Sequence, residues 1–292
     1  MAEAGRALSV AGIVDAAART LAQAQVENPR LDAELLIAEA AGLTRADLYA
    51  GPLELDGETR RRFESLIRRR AGREPLAYIV GRKEFYSLEF EVGPAVLVPR
   101  PETETIVDVA LKLIAQHANC RLLDIGTGCG AIALAIASNA PGVQVVATDI
   151  SMDALAIAHR NAVRLGLESR TRFIRADCWD TLDGGEPLGR FDIVVSNPPY
   201  VCDSEMARLE PEIRDFEPRV ALDGGPDGLN FYRRIVAGLG DHLLHRGAVI
   251  LEVGNGQAAA VATILEAAGF PGAGVSNDLS GTPRAVHGKC TR

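Results

Sequence analysis

The tetrapeptide Asn197-Pro198-Pro199-Tyr200 directly follows the apolar run Phe191-Asp192-Ile193-Val194-Val195-Ser196. The two prolines carry no N–H, so this stretch of backbone presents carbonyl acceptors only. The Asn197 side chain can turn its oxygen to the same point. Asn197 Oδ1 and the Pro198 carbonyl together match the two hydrogens of a planar –NH₂ group, and Tyr200 offers a flat face to cover it. An amide nitrogen of this kind is a poor nucleophile, because its lone pair is delocalised into the carbonyl as in a peptide bond. Its proton is too weakly acidic for a side-chain base to remove beforehand. Catalysis on such an acceptor rests on holding the nitrogen in line with an electrophile. It also rests on hydrogen bonds that strengthen in the transition state. None of the five histidines lies in these motifs. The pattern alone does not separate a glutamine amide from adenine N6 or another planar amine.

The electrophile is indicated further upstream. Leu122-Leu123-Asp124-Ile125-Gly126-Thr127-Gly128-Cys129-Gly130 reads as a strand running into a glycine-rich turn, followed by a helix over 131–137. The glycines allow a ligand to approach the backbone where a Cβ would clash. Gly126, Gly128 and Ala131 also satisfy the looser G-x-G-x-x-A dinucleotide fingerprint. Asp149 ends the next strand, where an acid suits a ribose hydroxyl in either cofactor. Asp124, just before the glycines, would repel a pyrophosphate but attract the ammonium and sulfonium cations of S-adenosylmethionine (SAM). The balance therefore favours SAM over a nicotinamide dinucleotide. Asp177-Cys178-Trp179 follows the third strand; the acid suits the adenine amino group and the indole suits the ring face. No metal is expected.

These groups need a frame, and the rest of the chain supplies one. From Pro99 onward strand and helix patterns alternate: strands at 121–125, 144–149, 172–175, 192–196 and 248–253, with a helix over 151–165 that Ser151 can cap. The alternation predicts a doubly wound α/β sheet with ligands at the carboxyl ends of its strands. Residues 76–98 read as a β-hairpin linker, with Phe85–Val92 alternating and Gly93-Pro94 as a turn signal. Residues 1–75 read as a helical module. Val10, Ile13, Val14, Ala17 and Leu21 form one stripe, and Leu31, Leu35, Leu36, Glu39 and Ala40 another. Thr44-Arg45-Ala46-Asp47 resembles a capping box. Phe63, Leu66 and Ile67 mark the inner face of a helix whose outer face is expected to carry Arg60, Arg61, Arg62, Arg68, Arg69 and Arg70.

The 292 residues are 47% hydrophobic and 24% charged, which suits a packed core. A net charge of −8 weighs against binding nucleic acid through its phosphates. The five cysteines form no CxxC pair, so neither a zinc ribbon nor a thioredoxin-like site is written here. Met1-Ala2-Glu3-Ala4 lacks a secretory n-region, and no apolar run approaches membrane length; a cytoplasmic protein is expected. A monomer is the default expectation.

The chain resembles the bacterial release-factor N5-glutamine methyltransferases (the PrmC or HemK family) over nearly its whole length. The resemblance is carried by Glu74–Gly81, Val98–Glu104, Asp124–Gly130 and Asn197–Tyr200. It continues through Glu212–Arg219, Asp223–Leu229 and Asp278–Gly281. It implies a Rossmann-like class I SAM-dependent methyltransferase domain over 99–292 with a seven-stranded sheet, behind a small N-terminal helical substrate-recognition domain and the hairpin linker. The implied reaction is methyl transfer from SAM to the glutamine of the Gly-Gly-Gln loop in class 1 peptide chain release factors. Gly126, Thr127, Gly128, Cys129, Gly130 and Asp149 would bind SAM. Asn197, Pro198, Pro199 and Tyr200 would receive the glutamine, and Pro99–Glu104 would sit near the pocket. The family often carries an aromatic immediately after the acid at Asp177; here that position is Cys178, with Trp179 next. Sister enzymes use the same tetrapeptide on a ribosomal-protein glutamine, and adenine N6 methylation is the more distant alternative.

Overall fold

The structure is a computed structural model describing residues 10–50, 55–115 and 119–290; Met1–Ala4 lie outside them. The chain divides into two compact units: Met1–Gly81 with Glu210–Phe216, and Arg82–Leu209 with Glu217–Arg292. Residues 76–98 are split between them, since 76–80 form a helix of the first unit and the hairpin belongs to the second.

In the first unit the helices are α1 (Val10–Gln23), α2 (Pro29–Ala41), α3 (Asp47–Ala50), α4 (Gly57–Ala71) and α5 (Leu76–Val80). Val14, Ala17 and Leu21 meet Leu36, Ile37, Phe63, Leu66 and Ile67 in its core. Asp56 caps α4 by accepting from Glu58 N and Thr59 N, and Thr44 and Asp47 cap α3 reciprocally. Two expectations fail here. Leu31 is exposed, whereas Asp32 and Glu34 of the same helix are buried. Arg70 is not on an outer face: it is 6% exposed and pairs with Asp32 at 2.7 Å and Glu212 at 2.9 Å. Arg73 completes the cluster on Glu212 at 2.5 Å. A hydrophobic stripe locates a helix face, but buried ion pairs can occupy that face when each charge finds a partner.

The second unit opens with a hairpin, β1 (Arg82–Phe85) and β2 (Leu88–Glu91). Helix α6 (Glu104–Ile114) then leads to β3 (Cys120–Ile125), α7 (Ala131–Asn139), β4 (Val143–Asp149), α8 (Met152–Arg164), β5 (Thr171–Asp177), β6 (Asp180–Thr181) and β7 (Phe191–Ser196). A long excursion follows, with β8 (Val201–Cys202), α9 (Asp203–Met206), α10 (Pro211–Arg214, in the first unit) and β9 (Asp223–Gly225). The chain ends through α11 (Asn230–His242), β10 (Leu243–Glu252), α12 (Ala258–Ala267), β11 (Gly274–Asn277) and β12 (Pro283–Lys289). The main sheet runs β11-β12-β10-β7-β3-β4-β5-β6. Seven strands are thus as expected, and the two-residue β6 adds a short antiparallel eighth at the edge. Strands β3, β4, β5, β7 and β10 are mutually parallel; β12 runs antiparallel to both β10 and β11, so β11 shares the direction of the parallel set.

The strand order reverses between β3 and β7. From β3 the chain builds outward through β4 and β5, then returns to lay β7 on the other side. At such a switch point the loops diverge to opposite faces and leave a crevice. The register places Ile125 opposite Ser196, so Gly126 and Asn197 leave adjacent strand ends at the same level.

Candidate active site

That crevice is a cleft lined by Gly126–Cys129, Asp149, Asp177, Cys178 and Ser196–Pro199, among others. The structure therefore gathers the glycine turn, the second-strand acid, the third-strand acid and most of the acceptor tetrapeptide around one space.

The glycine turn is pinned from below. Gly126 N and Thr127 N both donate to Thr148 O at 2.8 Å, and Gly130 N donates to Thr127 O. Gly126, Gly128 and Gly130 all have positive φ. At Gly128 (φ +57°) a Cβ would meet no protein atom within 4 Å, so its missing side chain leaves room in the cleft. Asp149 receives Gly128 N on Oδ2 and Ser151 N on Oδ1, each at 2.9 Å. Burial raises its pKa above the ordinary carboxylate value, against the pull of those backbone bonds. Each oxygen keeps a further lone pair for a hydroxyl. Ser151 also caps α8, accepting from Ala154 N.

Asp124 departs from its expected place. It is fully buried beneath the turn and does not line the cleft. Its Oδ2 accepts from Thr127 Oγ1 at 2.7 Å, while Oδ1 has no hydrogen-bond partner. Burial pushes its pKa up to about 7. The physical reason is strand geometry: β3 is buried on both faces from Leu122 to Ile125, so its acid points into protein. The open glycine turn and the Asp149 carboxylate, both in the cleft wall, fit a ribose-bearing ligand such as SAM.

Asp177 lines the cleft and pairs with Arg234 at 2.8 Å. Cys178 lines it too, buried, with its thiol pKa pushed up to about 11 by burial; Cys129 is raised to about 12 for the same reason. These are protonated thiols at neutral pH. Trp179 does not line the cleft. Asp177 and Asp180 pair across the β5–β6 hairpin, so Cys178 (φ +55°) and Trp179 are its two turn residues, and the indole is carried over α11. There it stacks on His242, with centroids 4.5 Å apart and rings 3° from parallel, and donates Nε1–H to Ile235 O at 3.1 Å. A Cβ at Gly238 would fall 2.2 Å from that nitrogen, so only glycine lets the ring lie there. The aromatic that does line the cleft is Phe231, in the first turn of α11, with the Arg234 guanidinium 5.3 Å from its centroid.

In the acceptor segment, Asn197, Pro198 and Pro199 line the cleft. Asn197 Nδ2 donates to Thr103 Oγ1 at 3.3 Å, which leaves Oδ1 as the free end of the amide. Tyr200 is not in the lining. Its hydroxyl is 3.5 Å from Glu252 Oε1, its carbonyl accepts from Gln257 Nε2 at 3.0 Å, and burial raises its pKa. The segment turns after Pro199 to pair β8 with β9, and that turn draws the ring against β10. From the motif after β2, Pro99, Arg100 and Thr103 reach the wall. Arg100 is tied to Glu217, a buried carboxylate whose pKa burial raises. Sequence reasoning placed Pro99–Glu104, and so Thr103, near the pocket, but it missed Phe231, although Asn230-Phe231-Tyr232 directly follows the Asp223–Leu229 motif.

Comparison with known proteins agrees with this architecture. The PrmC N-terminal domain family matches residues 13–81, and the methyltransferase small domain family matches residues 103–210. Among solved structures, the hMettl16 catalytic domain in complex with hairpin 6 of the MAT2A 3′UTR superposes with a TM-score of 0.57 over 78% of this chain and 82% of that one. At 19% identity that likeness speaks to the class I methyltransferase fold. The release factor glutamine methyltransferase of Geobacter sulfurreducens is 44% identical over 272 residues, 92% of either chain. That of Caulobacter vibrioides is 40% identical over 274 residues, 94% of this chain and 93% of its own. With likeness at that level running through both units, this chain belongs to the family of release factor glutamine methyltransferases.

Proposed function

We propose that this protein transfers the methyl group of SAM to the side-chain amide nitrogen of a glutamine in a peptide chain release factor, the glutamine of the Gly-Gly-Gln motif in class 1 factors. The observation that carries the reading is the acceptor wall: Asn197, with Oδ1 as its free end, stands beside Pro198 in the same cleft as the glycine turn and Asp149.

SAM supplies an electrophilic methyl on a sulfonium. The turn at Gly126–Gly130 and the Asp149 carboxylate would hold it, with Asp177, Cys178 and Phe231 toward its base. Asn197 Oδ1 and the Pro198 carbonyl would accept the two N–H bonds of the acceptor amide. Both acceptors gain strength as those bonds become acidic, which favours the transition state over the ground state. No group in the wall has to remove a proton first, and the buried thiols are poor competitors for the methyl. Residues 1–75 would recognise the factor, in the cytoplasm where such factors act.

The test is radiolabelled SAM with purified protein offered a release factor, ribosomal proteins, RNA and DNA in parallel, followed by mass mapping. The expected product is a release factor carrying one methyl on glutamine. Label on a ribosomal protein alone, or on adenine, would replace this reading.

A further inference from the structure

The acceptor wall must stay in place, yet its backbone cannot hold itself. Pro198 and Pro199 have no N–H, so the stretch that offers only acceptors also lacks the donors by which its surroundings would tie it down. Its position is set at its two ends. The first end is held in the sheet: Ser196 closes β7 in register with Ile125 and Leu251, and its hydroxyl donates to Ile125 O at 2.7 Å. The far end is Tyr200, which does not line the cleft. Beyond it Val201 N donates to Leu222 O at 2.9 Å, and the Tyr200 carbonyl is taken by a side chain, that of Gln257.

Gln257 stands at the N-cap position of α12, but its side chain caps no N–H of that helix. Instead Nε2 donates to Tyr200 O at 3.0 Å and to Gly228 O at 3.4 Å, while Oε1 accepts from Gly254 N at 3.0 Å. These partners are backbone groups of fixed polarity. A half-turn of the amide would set its oxygen against two carbonyls and its NH₂ against an N–H, so only one orientation satisfies them. The side chain thus joins the loops that follow β7, β9 and β10. Glycines let those loops close on it: a Cβ at Gly228 would fall 2.5 Å from Tyr200 O and 2.6 Å from Gln257 Nε2, and one at Gly254 would fall 2.9 Å from Gln257 Oε1. Between Ser196 and Tyr200 the two proline rings fix φ, which leaves few torsions through which the wall could drift. We propose that Gln257 is a positioning residue for methyl transfer: by tying down the Tyr200 carbonyl it holds the Pro198 carbonyl and the Asn197 amide where the acceptor –NH₂ must meet them. This role rests on the function proposed above and gives Tyr200 a part in it, as the tethered end of the wall.

Gln257→Met keeps the length of the side chain and removes its hydrogen bonds. Its kcat on a release factor is expected to fall by about tenfold or more through misplacement of the acceptor, with KM for the factor and the dissociation constant for SAM near parental. A second readout needs no acceptor. In ¹⁵N-labelled protein the Asn197 side-chain NH₂ pair, assigned by its absence in Asn197→Ala, should shift or broaden in Gln257→Met, while the backbone amides of Gly126–Gly130 stay in place. Should Gln257→Met not fold, Gln257→Glu keeps the acceptor for Gly254 N, loses the donor to Tyr200 O, and is expected to show the same two changes. A parental kcat, a fall in kcat matched by an equal loss of SAM affinity, or an unmoved Asn197 pair overturns the proposal. If the parent enzyme labels no release factor, the function is wrong instead, and the Asn197 pair alone then decides whether Gln257 tethers the wall.

Discussion

Asn197 is the residue whose removal should separate binding from chemistry. Asn197→Ala takes away one of two acceptors for the amide N–H bonds, and a single preorganised transition-state hydrogen bond is worth roughly 10²–10³ in rate. Methyl transfer should fall by that factor while calorimetry shows SAM binding close to parental; near-normal turnover would remove Asn197 from its role. Asp124 makes a different prediction, through linkage. Its folded pKa, about 7, lies above the ordinary 3.8. Between those values the native state keeps a proton that the unfolded chain has released, so stability from this group is complete below the lower value and is lost as pH rises through the upper one. Urea unfolding at pH 5 and pH 8 should show the parent losing stability over that interval. Asp124→Asn, which cannot ionise, should show a flatter profile, and identical profiles would contradict the buried acid.

Among the elements, the turn between β3 and α7 was legible because its signal is local: an apolar strand, three glycines and a helical run in unbroken order. The cap of α8 at Ser151 was legible for the same reason. Gly128→Ala tests what the turn is for. Left-handed backbone costs an L-residue about 1–2 kcal/mol, and the added methyl would meet no protein atom. The variant should therefore lose only that much stability in urea, but bind SAM at least tenfold more weakly because the methyl fills ligand space; undiminished affinity would place the ligand elsewhere. The β5–β6 hairpin was not legible. Its pairing of Asp177 with Asp180 decides which turn residue faces the cleft, and a propensity reading of Asp177-Cys178-Trp179 has no access to that pairing. Trp179 was expected at the cofactor because it is aromatic and near; its real partners, His242 and the carbonyls of α11, lie more than fifty positions away.

For the protein as a body, the segment Glu210–Phe216 is informative, because it interrupts the methyltransferase unit in sequence and belongs to the helical one. Glu212 holds both Arg70 and Arg73; burial works against its charge, but the two guanidinium groups prevail and keep its pKa low. Removing one partner of a buried ion pair typically costs about 3–5 kcal/mol, since the other charge stays behind. Glu212→Ala should destabilise the helical unit by up to that amount, seen as faster amide exchange in α2 and α4. Exchange indistinguishable from the parent would mean that Asp32 suffices for Arg70 and Glu210 for Arg73.

The amino-acid order was enough to specify the five central strands, the helices after the glycine turn and at Ser151, where the backbone lacks donors, where glycine frees it, and which family the motifs resemble. Those properties are set within a few residues, by periodicity, proline and glycine. It left open which strand lies beside which. Parallel pairing of β3 with β7 brings Gly126 and Asn197 together across some seventy residues, the Pro101–Thr103 turn puts a hydroxyl behind the acceptor amide, and the partners in the first unit draw Arg70 inside. Such choices depend on burial summed over the entire sheet and on partners found across long loops. No window of sequence contains that sum, so which residues share the cleft wall became readable only once the chain had closed around it.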